Sequence, residues 1–194
     1  MKVDLFLGSD IGLWALNEIP KEFVNNVFTF DNRIREVARS FEKDNPQAMY
    51  GINIHYPKVF KLEFINSYDK LYNLHPGYLP WGRGFYPMFW ALFEGTPAGA
   101  TLHEITEGID EGPIVKQVQV PYTDLDTGDT LYERVRKVER DLFKEFWPKL
   151  VSGQEIKSYP QQGVGSNHYK REFVELKTLY DKLTRCLIAN MGDK

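Results

Sequence analysis

Asn73 and His75 stand two residues apart at the end of the apolar run Leu71–Leu74, just before Pro76 and Gly77. In a strand, positions i and i+2 share a face, so an amide and an imidazole would project together where the chain turns. An asparagine amide can donate to an oxygen that is gaining negative charge. A histidine titrates near neutrality and can give or take a proton. Asp110 is the third candidate, and Gly108, Gly112 and Pro113 bracket it. A carboxylate there could orient the imidazole and support proton transfer. A capped strand end is the bland reading of the first two, and spacing alone does not bring Asp110 to His75. Ser67 falls in a polar turn and Cys186 in a terminal helix, so neither joins the set as a nucleophile. Direct transfer to an external nucleophile therefore fits better than a covalent enzyme intermediate. His55, His75, His103 and Asp110 lack metal-ligand spacing, and no metal is expected.

The elements that must position these residues alternate. Val3–Gly8 reads as a strand, and Leu13, Leu16 and Ile19 follow at helical spacing before Pro20. Val24–Phe30 is a second strand, and Ile34, Val37, Ala38 and Phe41 mark a helix face. Met49–Ile54 is a third strand, and Pro57 opens a helix carrying Val59, Leu62 and Phe64. Leu71–Leu74 follows as the next strand. This order predicts βαβ units, hence an α/β fold with a Rossmann-like parallel sheet. Beyond Met88–Phe93, an apolar helix, Ala100–Ile105 and Ile114–Val120 form an antiparallel hairpin across the loop Thr106–Pro113. Leu131, Val135, Val138, Leu142, Phe146 and Leu150 define an amphipathic helix capped near Thr127. Phe173, Leu176, Leu179, Leu183 and Leu187 mark a last helix. Residues 1–150 are read as the catalytic domain and 151–194 as a C-terminal extension.

At 194 residues and 42% hydrophobic, the chain can build a core. A net charge of −3 gives no global field for nucleic acid, so no nucleic-acid partner is expected. One cysteine excludes an intramolecular disulfide and suggests an intracellular protein. Asp4, Ser9 and Asp10 interrupt the apolar start, and no run reaches the ~20 residues of a membrane span. A cytoplasmic protein without a membrane partner is expected. Gly8–Gly12 reads G-x-x-x-G rather than a dinucleotide fingerprint. It is a strand-to-helix turn, or else part of a cleft wall.

The segment Asn73-Leu74-His75-Pro76-Gly77-Tyr78-Leu79-Pro80 resembles the N-x-H-P-x-x-L-P motif of formyltransferases that use 10-formyltetrahydrofolate. Gly99–His103 and Asp110–Ile114 resemble that family's G-x-T-x-H and D-x-G-x-I segments, in the same order. The resemblance runs from about residue 49 to 121. It implies a Rossmann-like domain, here shortened by about one strand-helix unit before Met49. It also implies an Asn73, His75, Asp110 site that moves a formyl group from a folate nitrogen to an amine. By the same resemblance, Ile52, Asn53, His55 and Tyr56, with Thr106, Gly108 and Ile109, line the pterin pocket largely through backbone.

Within the family, Leu79–Trp90 looks most like the sugar-nucleotide N-formyltransferases, with Gly82 where those carry asparagine. Glu139, Leu142, Phe143 and Trp147 match the helix after their catalytic hairpin. The implied acceptor is a nucleotide-linked 3-amino- or 4-amino-dideoxy sugar. The alternatives are a purine-pathway glycinamide ribonucleotide formyltransferase and a catalytically degenerate folate- or nucleotide-binding protein. The tRNA-formylating members look longer. Expected substrate contacts are Tyr78, Trp81, Arg83, Gly84, Phe85, Tyr86, His168, Tyr169 and Lys170. For several of these the competing reading is ordinary: Arg83 as a surface charge, Lys170 as a solvated one, His55 as a packed strand cap. His103 is expected to support Asp110 or its loop. Phe143, Phe146, Trp147 and the last helix serve either as intramolecular core or as a homodimer surface.

Overall fold

The computed structural model describes residues 1–41 and 46–179. Cys186 and the last-helix positions Leu183 and Leu187 lie outside the described residues; 170–179 are helical. The chain runs β1 (Val3–Leu7), α1 (Ser9–Glu18), β2 (Val24–Thr29), α2 (Asn32–Ala38), β3 (Tyr50–Ile54), α3 (Leu62–Ile65) and β4 (Lys70–His75). It continues through β5 (Arg83–Gly84), α4 (Pro87–Glu94), β6 (Ala98–Glu104), β7 (Ile114–Val120), α5 (Gly128–Ser152) and β8 (Asn167–His168).

Six strands form one sheet in the order β2-β1-β3-β4-β6-β7. β2, β1, β3 and β4 are parallel, and β6 and β7 add the antiparallel hairpin. β1 is buried along its whole length and β4 beyond its first residue, as strands covered on both faces must be. β7 has exposed residues along its middle, as suits an edge. The short α3 replaces the helix expected from Pro57. Residues 56–61 instead cross the sheet end without helical bonding, because Asn53 Oδ1 accepts from Tyr56 N at 2.9 Å and Tyr56, Phe60 and Phe64 stack in series.

α5 lies across β4, β6 and β7. Thr127 and Thr130 cap its start reciprocally, and Gly153 closes its end in the left-handed region. Leu131, Val135, Leu142, Phe143, Phe146, Trp147 and Leu150 are buried. Each such side chain contributes roughly 1.5–3 kcal/mol, an upper estimate. Phe143, Phe146 and Trp147 are thus intramolecular core rather than a free face.

Asp4, on β1, is fully buried. Its carboxylate accepts from Asn25 Nδ2, Asn26 N and Nδ2, Ala48 N and Tyr68 Oη, which ties β2 and the approach to β3 to the sheet. Residues after α5 run back over the hairpin: Tyr159 bridges to Ile114, and β8 pairs with β5. Among the described residues no helix is long and apolar enough to cross a membrane.

Candidate active site

A cleft of about 430 Å³ opens at the C-terminal ends of β1, β3 and β4. Crevices at strand carboxyl ends are where open α/β sheets bind ligands. Four non-glycine residues among those described have a left-handed backbone: Ser9, His55, Tyr86 and Asp110. All four line this cleft. Such conformations cost energy and gather where function requires them.

β4 carries Asn73 and His75 to the cleft floor, and the antiparallel register sets Asn73 opposite His103 on β6. His75 Nε2 lies 2.8 Å from the carbonyl oxygen of Gly82. A carbonyl only accepts, so Nε2 carries the hydrogen and the neutral ring keeps its lone pair on Nδ1. That atom is 3.6 Å from Asp110 Oδ2. Burial holds the imidazole below its ordinary pKa, against the opposing pull of Asp110. Resting His75 is therefore neutral, with Nδ1 open as a base.

His103 Nδ1 donates to the Glu104 carbonyl at 2.7 Å, so its Nε2 accepts from Asn73 Nδ2 at 3.0 Å. The second Asn73 hydrogen goes to Asp110 Oδ1, also at 3.0 Å. Asp110 Oδ2 accepts from Gly84 N at 2.9 Å. Burial alone would raise the Asp110 pKa. His75 and His103, each of which attracts the carboxylate once its ring is protonated, and the Gly84 N–H hold the carboxyl well below the usual carboxylate range. The site therefore pairs a neutral imidazole base with a fixed carboxylate, and both hydrogens of the Asn73 amide are engaged at rest.

These residues fall within a stretch that has known relatives. Residues 11–146 match the family model described as formyl transferase.

The chain belongs to the formyl transferase family.

Over 107 residues it is 31% identical to a dTDP-4-amino-4,6-dideoxyglucose formyltransferase of Mycobacterium tuberculosis. That match covers 55% of this chain and 45% of the relative, so the chain spans less than half the length of the curated relative it matches. Among solved structures it resembles the formyltransferase PseJ from Anoxybacillus kamchatkensis, in complex with UDP-4,6-dideoxy-4-formamido-L-AltNAc and tetrahydrofolate. The two are 28% identical with a TM-score of 0.72, covering 93% of this chain and 90% of that one. A sugar N-formyltransferase from a Shewanella species shares the fold at 23% identity and TM-score 0.75, with 89% and 78% covered.

In this family member Asn73, His75, Asp110 and His103 form one cluster. Asn53, His55, Tyr56, Thr106, Gly108 and Ile109 line the cleft, as do Gly84, Phe85, Tyr86 and Lys170. Other expected contacts lie elsewhere. Ile52 is fully buried in the core because its side chain points to the opposite face from Asn53. Tyr78 and Trp81 do not line the cleft. Arg83 is engaged within the chain: its Nε and Nη2 donate to Gln161 Oε1 at 3.1 and 2.8 Å, and its Nη1 lies 4.0 Å from Glu111. His168 stacks on Trp90 at 3.8 Å and pairs with Glu94 at 2.9 Å, which turns it onto α4. Tyr169 is exposed beneath Arg171 and also lies off the cleft wall.

Two residues outside the expected set complete the arrangement. Gln161 Nε2 donates to the carbonyls of Asp110 and Gly112 at 2.7 and 2.9 Å, clamping the Asp110 loop to Arg83. Nothing in its spacing signals this, since the partners are some fifty residues away. Glu139 is fully buried beside His55. Its signal is legible: a carboxylate four residues after Val135 sits on the apolar face of α5.

Proposed function

We propose that this protein transfers a formyl group from 10-formyltetrahydrofolate to the amino group of a nucleotide-linked amino-dideoxy sugar, with residues 1–150 as catalytic domain and 151–194 as an extension. The observation that carries the reading is the convergence of a neutral His75, an ionised Asp110 and the Asn73 amide on one cleft. The PseJ complex supports the substrate class, since its nucleotide-sugar product and folate accompany a fold that covers nearly this whole chain.

The cleft fits a folate chemically. Tyr56, Phe60 and Ile105 offer apolar and aromatic surface, and the Thr106–Asp110 loop offers backbone donors and acceptors. When bound, the folate supplies the activated formyl group. His75 Nδ1 takes the proton that the attacking amine sheds, and returns it to the departing nitrogen. Asp110 stabilises the imidazolium while it lasts. Asn73 turns one hydrogen from Asp110 toward the formyl oxygen as negative charge builds there, and protonated Nδ1 is a second donor. A fully preorganised oxyanion donor is worth roughly 3–4 kcal/mol, and the Asp110 contact that Asn73 gives up is subtracted from that. Gly84–Tyr86 and Lys170 hold the sugar-nucleotide side.

The test is an assay of the purified protein with 10-formyltetrahydrofolate and dTDP- or UDP-linked 3-amino- and 4-amino-dideoxyhexoses. Formylated sugar is the expected product. Turnover of glycinamide ribonucleotide with none of any amino sugar would replace this reading with the purine one.

A further inference from the structure

β1 and β3 are neighbours at the point where the strand order changes direction, with β2 on one side and β4 on the other. Ligands of open α/β sheets gather at that crevice. The side chains at the two strand ends are Ser9 and His55. Ser9 Oγ lies 2.9 Å from His55 Nδ1, and His55 Nε2 lies 2.7 Å from Glu139 Oε1. Ser9 and His55 have φ of 57° and 58°. Gly8 lets them meet, since a Cβ there would stand 2.2 Å from the His55 carbonyl oxygen. Glu139 comes from the buried face of α5, and its Oε2 has no hydrogen-bond partner among the described residues. A carboxylate buried this way is costly without a cation.

The fully buried Glu139 carboxylate, 2.7 Å from His55 Nε2 and with no other hydrogen-bond partner among the described residues, calls for a cation on His55 and so gives the relay a direction. Glu139 accepts, so His55 Nε2 carries a hydrogen. Burial by itself would push the His55 pKa down; Glu139 outweighs it and raises the pKa, with Arg136 of α5 opposing. The imidazolium then donates from Nδ1 to Ser9 Oγ. Ser9 accepts on one side and has its own hydroxyl hydrogen left to give, and it lines the cleft. This is the reverse of a nucleophilic serine, whose hydrogen points at a neutral imidazole.

We propose that Ser9 is a ligand-binding residue of this cleft, donating a hydrogen bond to a carbonyl or phosphate oxygen of a bound substrate, with His55 and Glu139 as positioning residues that fix its polarity. The identity of that oxygen, on the folate or on the nucleotide diphosphate, rests on the function proposed above; the relay does not.

Two measurements test it. The first is NMR of protein labelled with ¹⁵N-histidine. Both His55 ring nitrogens should carry hydrogen near neutral pH, and Glu139→Gln should leave one bare. A neutral His55 with a bare Nδ1 in the wild-type protein overturns the relay, whatever the enzyme's substrate. The second is calorimetric titration of tetrahydrofolate, dTDP and UDP into wild type, Ser9→Ala and Ser9→Gly. Glycine suits the left-handed backbone, so it isolates the hydroxyl from any strain. Both variants should bind either the folate or the nucleotides about tenfold or more weakly, leaving the other within about twofold. Wild-type affinity for every ligand in Ser9→Gly overturns the proposal. Failure of wild type to bind folate and nucleotide alike would sink the proposed function, while the NMR result still decides the relay.

Discussion

His75 Nδ1 faces Asp110 Oδ2 at 3.6 Å while Nε2 of the same ring is fixed on the Gly82 carbonyl at 2.8 Å. One nitrogen is anchored; the other lies in the field of a carboxylate without a direct hydrogen bond to it. Because the His75 pKa is lowered, the base form persists below the ordinary histidine value of about 6.5. The acid limb of kcat/KM should therefore fall only beneath that pH. Asp110→Asn removes the anion that favours the imidazolium. It should lower kcat by about 10²- to 10⁴-fold and move the limb to still lower pH. Steady-state rates across pH check both. A limb that moves upward would mean that Asp110 does not act through His75.

Gly77 sits where His75 needs room. A Cβ there would lie 2.5 Å from His75 Nε2 and 3.0 Å from the Gly82 carbonyl oxygen, the same pair that fixes the ring. Gly77→Ala should therefore displace the imidazole and cost about 10²-fold in kcat. The folded protein should persist by circular dichroism, since the clash is local to the site. Normal kcat in this variant would show that the Nε2 anchor has no catalytic consequence.

Arg83 and Gln161 act as one clamp on the Asp110 loop. A phosphate-binding Arg83 would raise KM for the nucleotide sugar independently of Gln161. The clamp predicts something different. Arg83→Ala and Gln161→Ala should each lower kcat about tenfold, and the double variant should lose little more than either single one. A double-mutant cycle measures this, because residues in one hydrogen-bond network are not additive. Fully multiplicative losses would separate the two residues.

Asp4 satisfies donors from β2, from Ala48 and from Tyr68 with a single buried carboxylate. Asp4→Ala leaves those buried groups without a partner and should destabilise the fold by about 3 kcal/mol or more. Urea denaturation reads the loss. Activity per folded molecule should change little, because the cleft lies at the other end of β1.

Much of this was legible in the sequence, for reasons that the later elements make plain. β4 is covered on both faces, so its apolar run had to be a central strand, and the two-residue step put Asn73 and His75 on one side of it. Asp110 was flagged by the glycines around it, and its φ of 52° bears out a constrained backbone. What was hidden depends on chain paths that no local pattern encodes. The return of residues 156–168 over the hairpin engages Arg83 with Gln161 and turns His168 onto Trp90. The expected helix after Pro57 gave way to tertiary packing, since Tyr56 and Phe60 stack along the cleft wall instead. Glu139 was visible as a charge on an apolar face, but its partner lies 84 residues back in the chain.

The two buried histidines should bend stability with pH in opposite directions. His75 has a lowered pKa, so the unfolded chain binds its proton first, and stability falls as pH drops below about 6.5. His55 has a raised pKa. Its contribution is fully present below about 6.5 and is lost as pH rises through the higher folded value. Glu139 is the cause of the second arm, so Glu139→Gln should flatten the decline above 6.5 while leaving the decline below it. Breaking the buried pair should also cost about 3 kcal/mol near pH 6. Urea midpoints of wild type and Glu139→Gln, taken over a pH series, provide the measurement. Persistence of the upper arm in the variant would show that some group other than His55 produces it.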